Sequence, residues 1–154
     1  GFVNPMRVLF GDHDVWPVKT VPLAINTVQH PLPSAKRCYK LGQALKVAVE
    51  SYPEDLKVVI VGTGGMSHQL QGERAGIIDV DYDLATMESV INDPSWFYNQ
   101  TNDEIIEKAG TEGIETIMWL TMRGAMDDKV KCLHKHYHAP ISNTGAGVLL
   151  LESD

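Results

Sequence analysis

The stretch Gly62-Thr63-Gly64-Gly65-Met66-Ser67-His68-Gln69, directly behind the apolar run Val58-Val59-Ile60-Val61, constrains this chain more than any other. A short β-branched run closed by glycines predicts a buried strand ending in a tight loop. Open α/β sheets place ligands and chemistry at the C-terminal ends of such strands. Glycine lets backbone approach a ligand closely, and a histidine set there can exchange protons near neutral pH. A structural turn needs one glycine and no imidazole. His68 is therefore a candidate catalytic or binding residue, against the alternative of a loop histidine that only satisfies its own hydrogen bonds.

Around this loop, strand-like and helix-like segments alternate. Residues 6–10 and 23–28 are expected strands, and the prolines at 31 and 33 fix a rigid turn between the second and the next helix. Ser34 is an N-cap for a helix over about 35–51, with Cys38, Leu41, Leu45, Ala48 and Val49 as its inward stripe, and Pro53 stops it. Residues 58–62 form the expected central strand. Helices follow over 83–92 (Leu84, Met87, Val90 and Ile91 inward), 102–109 and 114–122, the last with Gly124 beyond its end. His134, His136 and His138 alternate on an extended segment, and 147–152 reads as a last strand. The order predicts an α/β domain with a central mixed, largely parallel sheet flanked by helices. No repeat, low-complexity tract or linker divides it.

Composition narrows the classes. A chain of 154 residues is the size of one domain with an ordinary core. It is 44% hydrophobic with a mean hydropathy of -0.13, values typical of a globular protein. No apolar run approaches the roughly 18 residues of a membrane span and no signal peptide is evident, so a cytoplasmic protein without a membrane partner is expected. Cys38 and Cys132 form no C-x-x-C pair and are expected as two reduced, buried thiols. The net charge is -7, and basic residues are scattered apart from Lys129, Lys131 and Lys135, which argues against nucleic acid as a partner. An anionic substrate would need local hydrogen-bonding or positive groups.

Five chemistries compete for the remaining motifs. The Gly62-x-Gly64-Gly65 loop lacks the G-x-G-x-x-G spacing, the closing acidic residue and the Walker lysine of nucleotide sites. Ser67 beside His68 has no G-x-S-x-G elbow, so a Ser-His-Asp hydrolase is disfavoured. His134-x-His136-x-His138 puts three imidazoles on one side of a strand. They read either as a zinc site or as exposed histidines on a basic edge, and the second is the simpler reading. Glu115, among Ile114, Ile117, Met118 and Trp119, reads as a carboxylate that is costly to bury without a partner or metal, or as a first-turn glutamate favoured by the helix dipole. Pro140-Ile141-Ser142-Asn143-Thr144-Gly145 is a turn whose hydroxyl, amide and backbone N–H groups suit a carboxylate ligand.

Taken together, three ordered motifs carry a resemblance. V-I-V-G-T-G-G-M-S-H-Q-L-Q-G-E-R-A-G, I-E-T-I-M-W-L-T-M-R-G-A-M and H-Y-H-A-P-I-S-N-T-G-A-G-V resemble the class III extradiol ring-cleavage dioxygenases, of the protocatechuate 4,5-dioxygenase catalytic (β) subunit and gallate dioxygenase type. G-D-H-D-V-W-P-V-K-T-V-P-L and R-C-Y-K-L-G-Q-A-L extend the likeness over nearly the whole chain. The resemblance implies a non-haem Fe(II) enzyme that opens a carboxylated dihydroxy- or trihydroxy-aromatic ring with O2. By the same likeness, His68 matches the family's acid/base histidine and Glu115 its iron-ligating glutamate. Ser142 and Asn143 match the residues that grip the substrate carboxylate.

The family's two iron-binding histidines lie in its N-terminal half, for which this chain has no counterpart, and His13 does not match a ligand position. Residues 1–154 are therefore expected to be the C-terminal portion of a single catalytic domain. They would hold one iron ligand, the base and the carboxylate grip, and be inactive unless the other half is supplied. A small α subunit or fused cap domain and oligomeric assembly are implied as further partners. The alternatives are a dioxygenase of the same superfamily acting on an aminophenol or a non-carboxylated catechol, and a noncatalytic domain of the same fold.

Overall fold

The fold is built on a close crossing of two helices. In the computed structural model, which describes residues 2–154, α2 spans Ala35–Glu50 and α6 spans Ile117–Gly124. Ser34 starts α2 by accepting from Arg37 N at 3.2 Å. Gly42 lies so near α6 that a Cβ there would run into the Thr121 carbonyl and come within 2.8 Å of Gly124 Cα. Thr121 Oγ1 donates to Cys38 O at 3.1 Å across the same crossing. The core beneath it gathers Cys38, Val90, Phe97, Ile105, Ile114, Ile117 and Leu120, each removed from water and so contributing the main favourable term in folding.

Short capped helices surround this crossing: α1 (Val3–Phe10), α3 (Val80–Asn92), α4 (Pro94–Tyr98) and α5 (Asn102–Ala109). Asp79 caps α3 by accepting from Tyr82 N at 3.0 Å, and Asp93 ends α3 while capping α4, whose first residue is Pro94. A 3₁₀ turn, Gly113–Thr116, leads into α6. The chain closes with an antiparallel hairpin, β1 (Val130–His138) and β2 (Ala146–Ser153), in which Tyr137 faces Gly147 and Lys135 faces Leu149. Tyr137 and Leu149 turn inward onto Met66, Met87 and Trp119. Alternation sends His134, His136 and His138 to the other, exposed face.

The structure corrects several expectations. Residues 6–10 lie within α1, where Pro5 occupies the first turn and its missing N–H costs no helical bond. Residues 23–28 and 58–62 adopt no regular secondary structure. The two-stranded hairpin is the only sheet among the described residues, so no largely parallel central sheet is present there. The physical reason is shared: a strand needs a neighbour to pair its backbone groups, and none of these runs has one among the described residues, whereas a helix satisfies itself. The helix expected over 114–122 is divided into the 3₁₀ turn and α6. Ala48 and Val49 face solvent rather than the core, because α6 covers only the first half of α2. Both cysteines are free as expected, but Cys132 is exposed on the hairpin. No helix among the described residues is long and apolar enough to cross a membrane.

Candidate active site

The glycine loop lies against α6 and the 3₁₀ turn. Gly64 has φ +109°, and a Cβ there would sit 3.1 Å from Glu115 Cγ, so only glycine fits without strain. Thr116 Oγ1 donates to Gly65 O at 3.0 Å, and Trp119 Nε1 donates to Gly64 O at 3.3 Å. Two side chains of the turn and α6 thus anchor the loop's carbonyls.

This anchoring brings His68 and Glu115 together. His68 Nε2 lies 3.7 Å from Glu115 Oε1. The imidazole is 9% exposed, and its Nδ1 is 2.8 Å from Met66 O. A carbonyl only accepts, so Nδ1 donates there and Nε2 is the ring nitrogen turned toward Glu115. Glu115 Oε1 accepts from Gly65 N at 2.7 Å, which fixes the carboxylate on the same loop that carries the histidine. The backbone of His68 is pinned too, donating to Ala109 O at 2.7 Å and accepting from Gly113 N at 3.1 Å. Burial, tautomer and orientation together give a base with one open nitrogen beside an anchored carboxylate.

The expected carboxylate grip adjoins the same loop. Thr144 forms an antiparallel bridge with His68, Met66 N donates to Gly145 O at 2.9 Å, and Gly145 N donates to Ser67 O at 2.9 Å. Ser142 and Asn143 lie exposed in the bend just before that bridge, and Asn143 takes φ +63°, a conformation asparagine tolerates. Their hydroxyl and amide are free to meet a ligand from solvent.

A second carboxylate was not among the residues expected from the sequence. Asp83 on α3 is 1% exposed and accepts from Ser67 N at 2.8 Å, Ser67 Oγ at 2.7 Å and Tyr137 OH at 2.7 Å. Burial raises its carboxyl above the usual range, opposed by the Ser67 and Tyr137 hydroxyls and the Ser67 backbone. The Tyr137 phenol is pushed up by burial and by its bond to Asp83. The signal was the acidic run Asp79-Val80-Asp81-Tyr82-Asp83. The helix expected over 83–92 begins three residues earlier, at Val80, which places Asp83 inside its first turn.

Glu115 can offer a carboxylate oxygen to a cation, with 27% of its side chain exposed. Among the described residues, however, no group of three His, Cys, Asp or Glu side chains is placed to hold a metal ion. This excludes the His134-x-His136-x-His138 stripe as a three-histidine zinc site. It also means that the described residues do not fit an iron centre by themselves.

The family described as the catalytic LigB subunit of aromatic ring-opening dioxygenase matches residues 1–149. Gallate dioxygenase from Pseudomonas putida (strain KT2440) is 48% identical over 153 residues, covering 99% of this chain and 45% of that enzyme. The 2,3-dihydroxyphenylpropionate/2,3-dihydroxicinnamic acid 1,2-dioxygenase of Mycobacterium ulcerans is 38% identical over 68 residues, 44% of this chain and 20% of that protein. Its counterpart from Photorhabdus laumondii is 23% identical over an alignment covering 99% of this chain and 61% of that protein. The chain therefore spans less than two thirds of the length of the curated relatives it matches, and about half that of the gallate dioxygenase.

Proposed function

Because the chain belongs to the family of catalytic LigB subunits of aromatic ring-opening dioxygenases, we propose that it forms the C-terminal part of an extradiol dioxygenase acting on a carboxylated di- or trihydroxy-aromatic such as gallate or protocatechuate. The observation that carries this reading is the buried His68 with Nε2 open, 3.7 Å from the Glu115 carboxylate. Glu115 is the one iron ligand this chain contributes. The other two would come from sequence outside residues 1–154. Fe(II), when bound, supplies the redox chemistry of O2.

The residues of this chain handle protons and orientation. A ring hydroxyl gives its proton to His68 Nε2, and the imidazolium returns it as the ring opens. Nδ1 stays bonded to Met66 O throughout, so the ring does not rotate away between the two transfers. Ser142 Oγ–H and Asn143 Nδ2–H donate to the substrate carboxylate and set which ring edge faces His68. Met66 and Trp119, both buried beside the loop, keep water from the reacting ring. In the overall change one C–C bond beside the diol breaks and both oxygens of O2 enter the product, so no other reductant is needed.

The test uses the complete enzyme loaded anaerobically with Fe(II) and then given O2. Gallate or protocatechuate should consume one O2 per ring and give a ring-opened product heavier by both oxygen atoms. An aromatic product, or no O2 uptake with either acid, contradicts the reading. Ser142→Ala combined with Asn143→Ala should raise KM for these acids by about 10- to 100-fold, as expected for two lost hydrogen bonds to a charged group, and leave catechol unaffected. An unchanged KM would favour an aminophenol, a non-carboxylated catechol or a ring with its carboxylate on a side chain.

A further inference from the structure

Asp83 is a buried carboxylate that the proton chemistry above does not use. Three donors converge on its two oxygens: Ser67 N–H on Oδ1, and the Ser67 and Tyr137 hydroxyls on Oδ2. Ser67 Oγ already accepts from Asp79 N at 2.8 Å, so its own proton is directed at Asp83. A carboxylate can accept all three bonds; a carboxamide, with one oxygen, cannot. Burying a carboxylate without a cation is expensive unless every lone pair that faces protein is used, and no salt bridge reaches Asp83 among the described residues. A residue this costly is not needed merely to fill space in α3.

What Asp83 touches explains the choice. Ser67 is the neighbour of His68, and both its backbone and its side chain end on Asp83. Gly145, two residues beyond Asn143, packs against the same carboxylate so closely that a Cβ there would run into Oδ2 and come within 3.1 Å of Tyr137 OH. Gly145 also exchanges backbone hydrogen bonds with Met66 and Ser67. The loop bearing the base and the turn bearing the grip are separate in sequence, are joined by these backbone bonds, and both also reach this one side chain.

We propose that Asp83 is a positioning residue of the reaction assigned above, and thus rests on that reading: through Ser67 and Gly145 it holds the His68 imidazole in register with Ser142 and Asn143. Support of this kind fixes the distance between the point where substrate is gripped and the point where its proton leaves. Tyr137 completes the clamp from the hairpin. Its own role is to hold the carboxylate, not to touch substrate.

The complete Fe(II)-loaded enzyme is assayed with gallate and protocatechuate as Asp83→Asn, Tyr137→Phe and His68→Gln, with the folded fraction of each measured at the assay temperature. Per folded molecule, Asp83→Asn should lower kcat about 10- to 100-fold while KM changes less than about threefold, as for a displaced base on an intact grip. Tyr137→Phe removes one donor and should lower kcat about three- to tenfold with near-normal stability. A merely structural role would lower the folded fraction and leave kcat per folded molecule unchanged, which overturns the inference. If Asp83→Asn does not fold, full kcat in Tyr137→Phe overturns it alone. His68→Gln separates the two levels: full activity there sinks the dioxygenase mechanism, whereas loss there with full kcat in the other two sinks only the role of Asp83.

Discussion

At the scale of single residues, the glycine loop works because of what surrounds each Cα. Gly64 combines φ +109° with Glu115 Cγ and Met118 Cε 3.1 Å from where a Cβ would stand. Gly64→Ala should therefore cost about 1–3 kcal/mol and lower Tm by several degrees in a thermal melt of the complete protein. An unchanged Tm would mean that the loop has another conformation open to it. His68 and Glu115 became candidates in the sequence through their unusual settings, a glycine loop and an apolar stretch, and the family likeness gave them their expected roles. Asp83 was not a candidate. An aspartate near a helix start has a common local explanation, and only the folded chain shows that Ser67, Tyr137 and Gly145 converge on it. Tyr137 was half visible, since alternation along a strand puts it opposite the three histidines.

Among the elements, the capped helices α2, α3, α5 and α6 and the last strand were legible, while the runs at 6–10, 23–28 and 58–62, expected as strands, form none, and the reason is where their hydrogen bonds go. Ser34, Asp93 and Thr101 cap helices whose bonds are local, so the sequence near each end contains the signal. Thr101 and Glu104 form a reciprocal capping box on α5, with Glu104 Oε2 accepting from Thr101 N at 2.7 Å and from Thr101 Oγ1 at 2.9 Å. The Thr101 backbone, then its hydroxyl, hold the Glu104 carboxyl below its ordinary 4.5. For a carboxyl lowered by folding, the stabilisation is present above the unfolded value and is lost as pH falls through the folded one. Thr101→Ala removes the capping hydroxyl but keeps the backbone N–H, so it should cost the usual N-cap loss of about 1 kcal/mol and flatten the loss of stability below about pH 4.5 only in part. Denaturant melts across that range test it, and an unchanged acid limb would contradict the box. Strands have no such local signature. The run at 6–10 is as apolar as many strands, yet α1 forms there, with no strand beside it among the described residues.

At the scale of the whole molecule, the hairpin and the helical layer close around the loop that presents His68. The inward face of the hairpin packs Tyr137 and Leu149 on Met66, Met87 and Trp119, while the other face leaves Val148 and Leu150 55% exposed. The run 58–62 lies outside any sheet with Val59 74% exposed, so the parallel sheet expected from its apolar character is not formed by the described residues. Periodicity reported which residues avoid water, but not which partner would cover them. The same holds for the metal: the family likeness pointed to Glu115, and the structure sets it beside His68 without two further ligands. The two side chains thus have different jobs, and iron content measured with turnover in the complete, Fe(II)-loaded enzyme separates them. His68→Gln should keep iron near the unmodified level while losing at least about 100-fold in kcat, the lower range for a positioned acid/base group. Glu115→Ala should lose the iron itself. A His68→Gln enzyme with full turnover, or a Glu115→Ala enzyme that retains its iron, would contradict the account at its centre.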